Sequence, residues 1–332
     1  MKLRTILDSV SQYAGITHKE DIALLAPKLP PLPKGWHPNG DDAAAIPGPD
    51  GYTLLAMEGF INTFVEQDPW FAGWCGVMVN ISDIAAMGGR PTAVVNALWN
   101  HDLIHAQQIF DGMSAAAEAF GVPIIGGHTN LRANQPQLAV SILGHAKHML
   151  SAMAAEPNQI LVVVIDHRGA FRPPSLNWNA ATTAPAERLR GDIALLPEVA
   201  EQGLAIAAKD ISQAGLIGTA LMLLETSGVG ARIDLDAIPK PDHVSWSDWL
   251  CAFPSFGYLL TTDREHLPQL QTLFHNRNIS AAAIGTITTE QKLWVTKGRE
   301  QQMFRDLNAK PLTGFRPLPL ALNPASQYAM EN

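Results

Sequence analysis

Cysteine is scarce in this chain: 332 residues contain only Cys75 and Cys251, far apart and with no CxxC pair. That excludes a disulfide scaffold and a cysteine zinc framework, and it fits a reducing compartment in which neither thiol acts as a nucleophile. Runs of lysine or arginine are missing too, and 23 basic against 31 acidic residues leave a formal charge of −8. Such a surface gives nucleic acid and anionic lipid no general attraction. Apolar stretches are interrupted by Gly, Asn or Asp before they reach membrane-spanning length, and Met1 to Ile22 has no signal-peptide hydrophobic region. The expectation is a soluble cytoplasmic protein without membrane or nucleic-acid partners. There is neither a GxxxxGK sequence followed by Ser or Thr nor a GxGxxG, so a P-loop and a dinucleotide fold are set aside.

What is present is a globular composition, 47% hydrophobic, in a chain long enough for two domains. Leu3, Ile6, Leu7 and Val10, then Ile22 and Leu25, predict one or two amphipathic helices before a proline-rich loop between Ala26 and Asn39. Strands are expected at Ala43 to Ile46, Tyr52 to Met57, Thr92 to Trp99, Val122 to Ile125 and Gln137 to His145, with a helix over His101 to Phe120. The pattern breaks near Met149 to Asn158 and resumes with strands at Ile160, Ala231, Tyr258 and Ala282, and helices over Ile211 to Ser227 and Arg264 to Asn276. Residues 173–190 read as a loop. This alternation predicts a two-domain α/β or α+β fold, divided as residues 1–148, 149–310 and a tail at 311–332.

Three acidic motifs stand out. The first is Asp83, near the middle of an almost wholly apolar helical stretch from Gly73 to Pro91, with Asn80 three residues earlier on the same face. A buried carboxylate costs several kcal/mol unless a cation or several donors compensate it, so a metal ion and a neighbouring backbone turn both remain open. The second is Asp41-Asp42, between an Asn39-Gly40 turn and a small-residue strand; alternation along a strand turns at most one of them toward a given site, and Asp42 is favoured. The third is Asp210, ahead of Gly215 and Gly218, where an N-cap is the simple alternative. Three aspartates without His or Cys neighbours suit Mg²⁺ with a nucleotide better than zinc. Gly126-Gly127-His128-Thr129 reads as a turn at a strand end whose amides could receive phosphate oxygens. His101 and His105, four apart, form a weaker metal-pair candidate. Trp70, Trp74, Trp99, Trp246 and Trp249 could line an aromatic pocket or pack in cores.

In order and spacing, Gly40-Asp41-Asp42-Ala43-Ala44, the block Asn80-Ile81-Ser82-Asp83-Ile84-Ala85-Ala86-Met87-Gly88-Gly89-Arg90-Pro91, Gly126-Gly127-His128-Thr129 and Asp210-Ile211-Ser212-Gln213-Ala214-Gly215-Leu216 resemble the AIR synthetase superfamily. Thiamine-monophosphate kinase, selenophosphate synthetase and the hydrogenase-maturation carbamoyl dehydratase belong to it. The resemblance runs from about residue 38 to about residue 290. It implies an N-terminal mixed-sheet domain that forms a barrel with its twin in a homodimer, a C-terminal α/β domain, and ATP with several Mg²⁺ ions. Asp42, Asp83 and Asp210 then fall on metal-holding aspartates, with Asp41 as an auxiliary.

Departures from the family pattern are equally specific. His128 stands where the kinase has Asp and selenophosphate synthetase has His. Glu58 is the nearest carboxylate to the family's Thr-Asp after the second strand. No cysteine precedes Cys75, Lys34 is the only lysine close to Asp41-Asp42, and Phe253-Pro254-Ser255-Phe256-Gly257 replaces the kinase's Gly-Gly-Glu-Asp stretch. The expected activity is ATP- and Mg²⁺-dependent phosphoryl transfer to, or phosphate activation of, a small-molecule acceptor. Asn80, Gly126, Gly127 and Thr129 would join the nucleotide site, and His128 and Lys34 are the catalytic candidates. The alternative is an ATP-binding regulatory or scaffold protein that has lost turnover.

Overall fold

The computed structural model describes residues 2–315. The described chain forms two compact units: one comprises Asp42–Met149 and Ala181–Glu201, the other residues 2–41, Leu150–Ala180 and residues 202–315. The tail expected at 311–332 is described as far as Phe315, and the rest of it lies outside the described residues.

The first unit is built on strands β1 (Ala44–Gly48), β2 (Gly51–Gly59), β3 (Arg90–Trp99), β4 (Ile124–Asn130) and β5 (Gln137–Ala146), in the order β1-β2-β5-β3-β4. β3 and β4 pair in parallel and the other pairs are antiparallel. Leu54, Ala56, Leu138, Val140 and Ile142 are buried on one sheet face. Glycines let that face meet the helices closely: a side chain on Gly76 would strike Val140, and one on Gly144 would strike Ile84. Helix α5 (Pro69–Ala86) follows the short α4 (Asn62–Gln67) and is buried from Phe71 onward, as an all-round apolar helix must be. Pro69 opens it without sacrificing a needed N–H, and Gly88, at φ +70°, turns the chain at its end.

Helix α6 (Leu103–Phe120) begins two residues later than its expected start, because the Asp102 side chain caps it by accepting from the His105 N–H at 2.9 Å. Helices α7 (Ala186–Ile193) and α8 (Leu195–Glu201) complete this unit. The Gly126-Gly127-His128-Thr129 segment corrects a sequence expectation: it is not a turn but lies inside β4, where Gly127 pairs with Asn96 of β3. A side chain on Gly127 would collide with Asn96, so the glycine serves strand packing there.

The second unit holds a seven-stranded sheet of β6 (Ile160–Ile165), β9 (Ala207–Asp210), β10 (Gly230–Asp234), β12 (Gly257–Thr262), β13 (Ser280–Thr288), β14 (Lys292–Lys297) and β15 (Glu300–Asp306). A small sheet joins β7 (Ala170–Phe171), β8 (Asn177–Asn179) and β11 (Phe253–Pro254); β8 and the start of α7 at Ala186 fall within residues 173–190, the segment expected to be a loop. The order of the large sheet is β15-β14-β10-β13-β6-β12-β9, with β6 interior and wholly buried, hence its uninterrupted Ile-Leu-Val-Val-Val-Ile sequence. Helix α9 (Gly215–Ser227) begins four residues after its expected start; Gly215, at φ +67°, lies where a side chain would strike the Leu250 carbonyl.

Helices α1 (Leu3–Ser11), α2 (Ala14–Thr17), α3 (Ile22–Leu25), α10 (Trp246–Leu250) and α11 (Leu267–His275) surround this sheet. The N-terminal helices belong here rather than with the residues that follow them: Leu3, Ile6, Leu7 and Val10 share a core with α9 and β10. No described helix is long and apolar enough to cross a membrane.

Candidate functional site

Asp83 sits on α5 with 6% of its surface exposed, and Asn80 one turn earlier is fully buried. Asn80 donates through Nδ2 to the Gly76 carbonyl at 2.8 Å, while its Oδ1 is buried with no hydrogen-bond partner among the described residues. A buried amide oxygen without a donor is costly, and sites that bind ligands are where such groups are tolerated. Asp42 precedes β1, half-buried, and one of its carboxylate oxygens lies within 4.8 Å of one from Asp83. Two carboxylates this close repel each other unless a cation or a proton lies between them. Oxygen donors without thiol or imidazole are the set that a hard divalent ion prefers, so the residues present fit Mg²⁺.

Asp41 points into different company. Its carboxylate accepts from Ser151 Oγ at 2.5 Å and the Ala152 N–H at 3.1 Å, and pairs with His37 Nε2 at 2.9 Å. Burial opposes its charge, but the His37 contact, the positive charge of Lys209 and the Ser151 hydroxyl outweigh that and hold the carboxyl below its ordinary value. Asp41 thereby ties the turn before Asp42 to the 151–153 segment. His37, Ser151 and Lys209 were not singled out in the sequence. Lys209 lies inside the short strand Ala207–Asp210 and is only 6% exposed, a burial that marks it only once the fold is known.

Asp210 closes β9, 6% exposed, in antiparallel register with Tyr258. It is not an N-cap: α9 starts five residues later, with Ala214 at its cap position. Glu58 lies near the end of β2 in register with Val140, on the same side of the strand as Leu54 and Ala56. Gly126, Gly127, His128 and Thr129 are exposed along edge strand β4, and the His128 ring lies 5.6 Å from that of Trp99. Lys34 is exposed in the proline-rich loop.

Two weaker expectations are corrected. His101 precedes α6, and His105 is engaged through both ring nitrogens, with Asn100 Nδ2 at 2.8 Å and the Glu66 carbonyl at 3.3 Å, so the two do not form a metal pair. The tryptophans pack in separate ring clusters: Trp70 on Trp74, Trp74 on Phe120, and Trp249 on Trp178 and His167. Core packing explains these without a shared pocket. Burial pushes the Cys251 thiol up to about 12, which leaves it protonated and inert at neutral pH.

The order of these elements has counterparts among known proteins. Residues 40–146 match the AIR synthase related protein, N-terminal domain, and residues 167–297 match the AIR synthase related protein, C-terminal domain. The chain belongs to the AIR synthase related family. Within it, an uncharacterised protein of Synechocystis sp. is 45% identical over 317 residues, covering 94% of this chain and 98% of its own length. Another from Methanocaldococcus jannaschii is 36% identical over 248 residues, covering 74% and 76%. A selenide, water dikinase of Myxococcus xanthus is 27% identical over 252 residues, 70% of this chain and 71% of that one. Among solved structures, the fold matches Thermotoga maritima PurL complexed with ADP at a TM-score of 0.73 and 18% identity, covering 95% of this chain and 52% of PurL. It also matches a ThiL complexed with AMPPCP and TMP at a TM-score of 0.62 and 18% identity, covering 80% and 90%. The chain thus spans about half the length of PurL.

Proposed function

We propose that this family member is an ATP-dependent enzyme that uses Mg²⁺ to transfer a phosphoryl group to a small-molecule acceptor, or to activate that acceptor as a phosphate. The observation that carries the reading is the Asp42 and Asp83 pair within 4.8 Å, one of them buried on an apolar helix. Asp42, Asp83 and Asp210 would hold the metal, with Glu58 as a further carboxylate. When bound, the ion would supply charge neutralisation to phosphate oxygens. Phosphoryl transfer asks little covalent chemistry of the protein, so positioning and electrostatics would do most of the work. Asn80 Oδ1, buried and without a donor among the described residues, would accept a hydrogen bond from a bound nucleotide or water. Gly126 and Gly127 of edge strand β4 would approach the nucleotide, His128 would donate to a phosphate or serve as a general acid, and Lys34 would reach a phosphate. The PurL and ThiL structures, complexed with ADP and AMPPCP, support the choice of nucleotide.

A homodimer is part of the proposal. Leu55, Met57, Val95, Ile125 and Leu143 are 40% to 68% exposed on the first unit's sheet, an apolar surface of the kind that marks an association site. A second copy would cover it.

Calorimetry of ATP binding with and without Mg²⁺, followed by ATP consumption across candidate acceptors, tests the reading. Metal-dependent ATP binding with acceptor-stimulated ADP release is the expected result. Metal-dependent binding without turnover on any acceptor would favour the scaffold alternative, and no nucleotide binding would overturn both.

A further inference from the structure

Residues 311–315 leave the hairpin of β14 and β15 and run back across their own unit, guided by a carboxylate. Glu225, on the apolar helix α9 and 6% exposed, accepts from the Leu312 N–H at 3.0 Å, the Thr313 N–H at 2.7 Å, the Thr313 hydroxyl at 2.8 Å and the Gly314 N–H at 3.1 Å. A carboxylate has about four acceptor sites, so one short segment satisfies all of Glu225. A carboxyl side chain in such an apolar helix is tolerated because these donors reach it, and Glu225 holds the segment together with the buried Leu312 side chain and the Arg305 contact to the Pro311 carbonyl.

The chain then turns through Gly314, at φ +77°, against Ala23, and delivers Phe315 onto Gly40. The fit is close: a Cβ added to Gly40 would come within 2.7 Å of the Phe315 ring. Gly40 itself is at φ +118°, a conformation that L side chains rarely adopt, and it immediately precedes Asp41-Asp42.

We infer that residues 312–315 are a strap that positions Asp42, with Glu225 setting its course and Phe315 clamping Gly40. Both are positioning residues and neither is a ligand. The Asp41 contacts fix the turn from one side, and the Phe315 ring restrains the glycine that would otherwise act as its hinge. Restraining the turn before an ion arrives lowers the entropy lost on binding. The inference rests on the reading of Asp42 as a metal ligand given above.

The test uses the full chain and Mn²⁺ alone as probe, read by electron paramagnetic resonance, together with amide exchange at residues 40–42. Phe315→Ala should weaken Mn²⁺ binding by about tenfold, the scale of an outer-shell loss, and should accelerate exchange at the turn. Phe315→Leu should restore most of both, and Glu225→Gln should act in the same direction as Phe315→Ala. A Phe315→Ala protein with wild-type Mn²⁺ affinity and wild-type exchange overturns the strap while leaving the metal reading intact. Wild-type protein that binds no Mn²⁺ overturns the metal reading and the strap's role with it.

Discussion

The Cα of Gly112 in α6 lies so close to the Trp70 carbonyl in α5 that no side chain fits between them, and Gly73 of α5 stands in the same relation to the Ile109 carbonyl in α6. The helix that carries Asn80 and Asp83 is therefore locked to its neighbour backbone against backbone, through two glycines. A methyl group at either point pushes the helices apart.

Gly112→Ala should destabilise the protein by about 3 kcal/mol or more, as overpacking against an unyielding backbone does. A drop in the thermal midpoint on the order of 10 °C is expected, measured by circular dichroism. A shift within a degree of wild type would mean that the two helices can separate without cost.

Asp83→Asn should keep the fold and lose the response to metal. With Mg²⁺ at about 100 times its dissociation constant, linkage raises wild-type stability by about 2.7 kcal/mol. Thermal melts with and without Mg²⁺ should show that increment in the wild type and none in the variant. An equal increment in both removes Asp83 from the site.

Asp41 makes an acid-side prediction. Its partners hold its folded carboxyl below the ordinary value of 3.8, so its contribution is fully present above that value and is lost as the pH falls through the lower folded one. Asp41→Asn should lower stability at neutral pH and flatten the dependence below about pH 4, in acid titrations followed by tryptophan fluorescence. A variant with an unchanged acid limb would show that Asp41 gains nothing from His37 and Ser151.

The exposed sheet face gives a fourth variant. Leu143→Asp should convert a dimer to monomer in sedimentation experiments while leaving the monomer folded, because the residue is 42% exposed. Wild-type protein that is already monomeric at micromolar concentration would remove the dimer from the proposal.

Asp83 was legible in the sequence because a carboxylate inside a long apolar helix has to be explained by something. Glu225 carries the same signature in the run Gly215 to Ser227 and could have been found by the same rule. Asp41 was less legible: one of its partners, Ser151, is 110 residues away, and nothing local distinguishes it from Asp42 beside it. The Gly126 to Thr129 segment misled for a different reason. Gly-Gly is strong turn chemistry, yet parallel pairing with β3 overrides that local preference and draws the segment into a strand.

The alternation of helices and strands in both halves, the buried carboxylate on α5, the inertness expected of two isolated cysteines and the family itself were legible in the residue pattern, since periodicity and the cost of burying charge act along the chain. Tertiary structure alone decided that the first helices join the seven-stranded sheet, that Asp41 answers to His37 and Ser151, and that Phe315 closes on Gly40. Those are contacts between residues distant in the chain, and packing selects them by shape and hydrogen-bond satisfaction that no local window records.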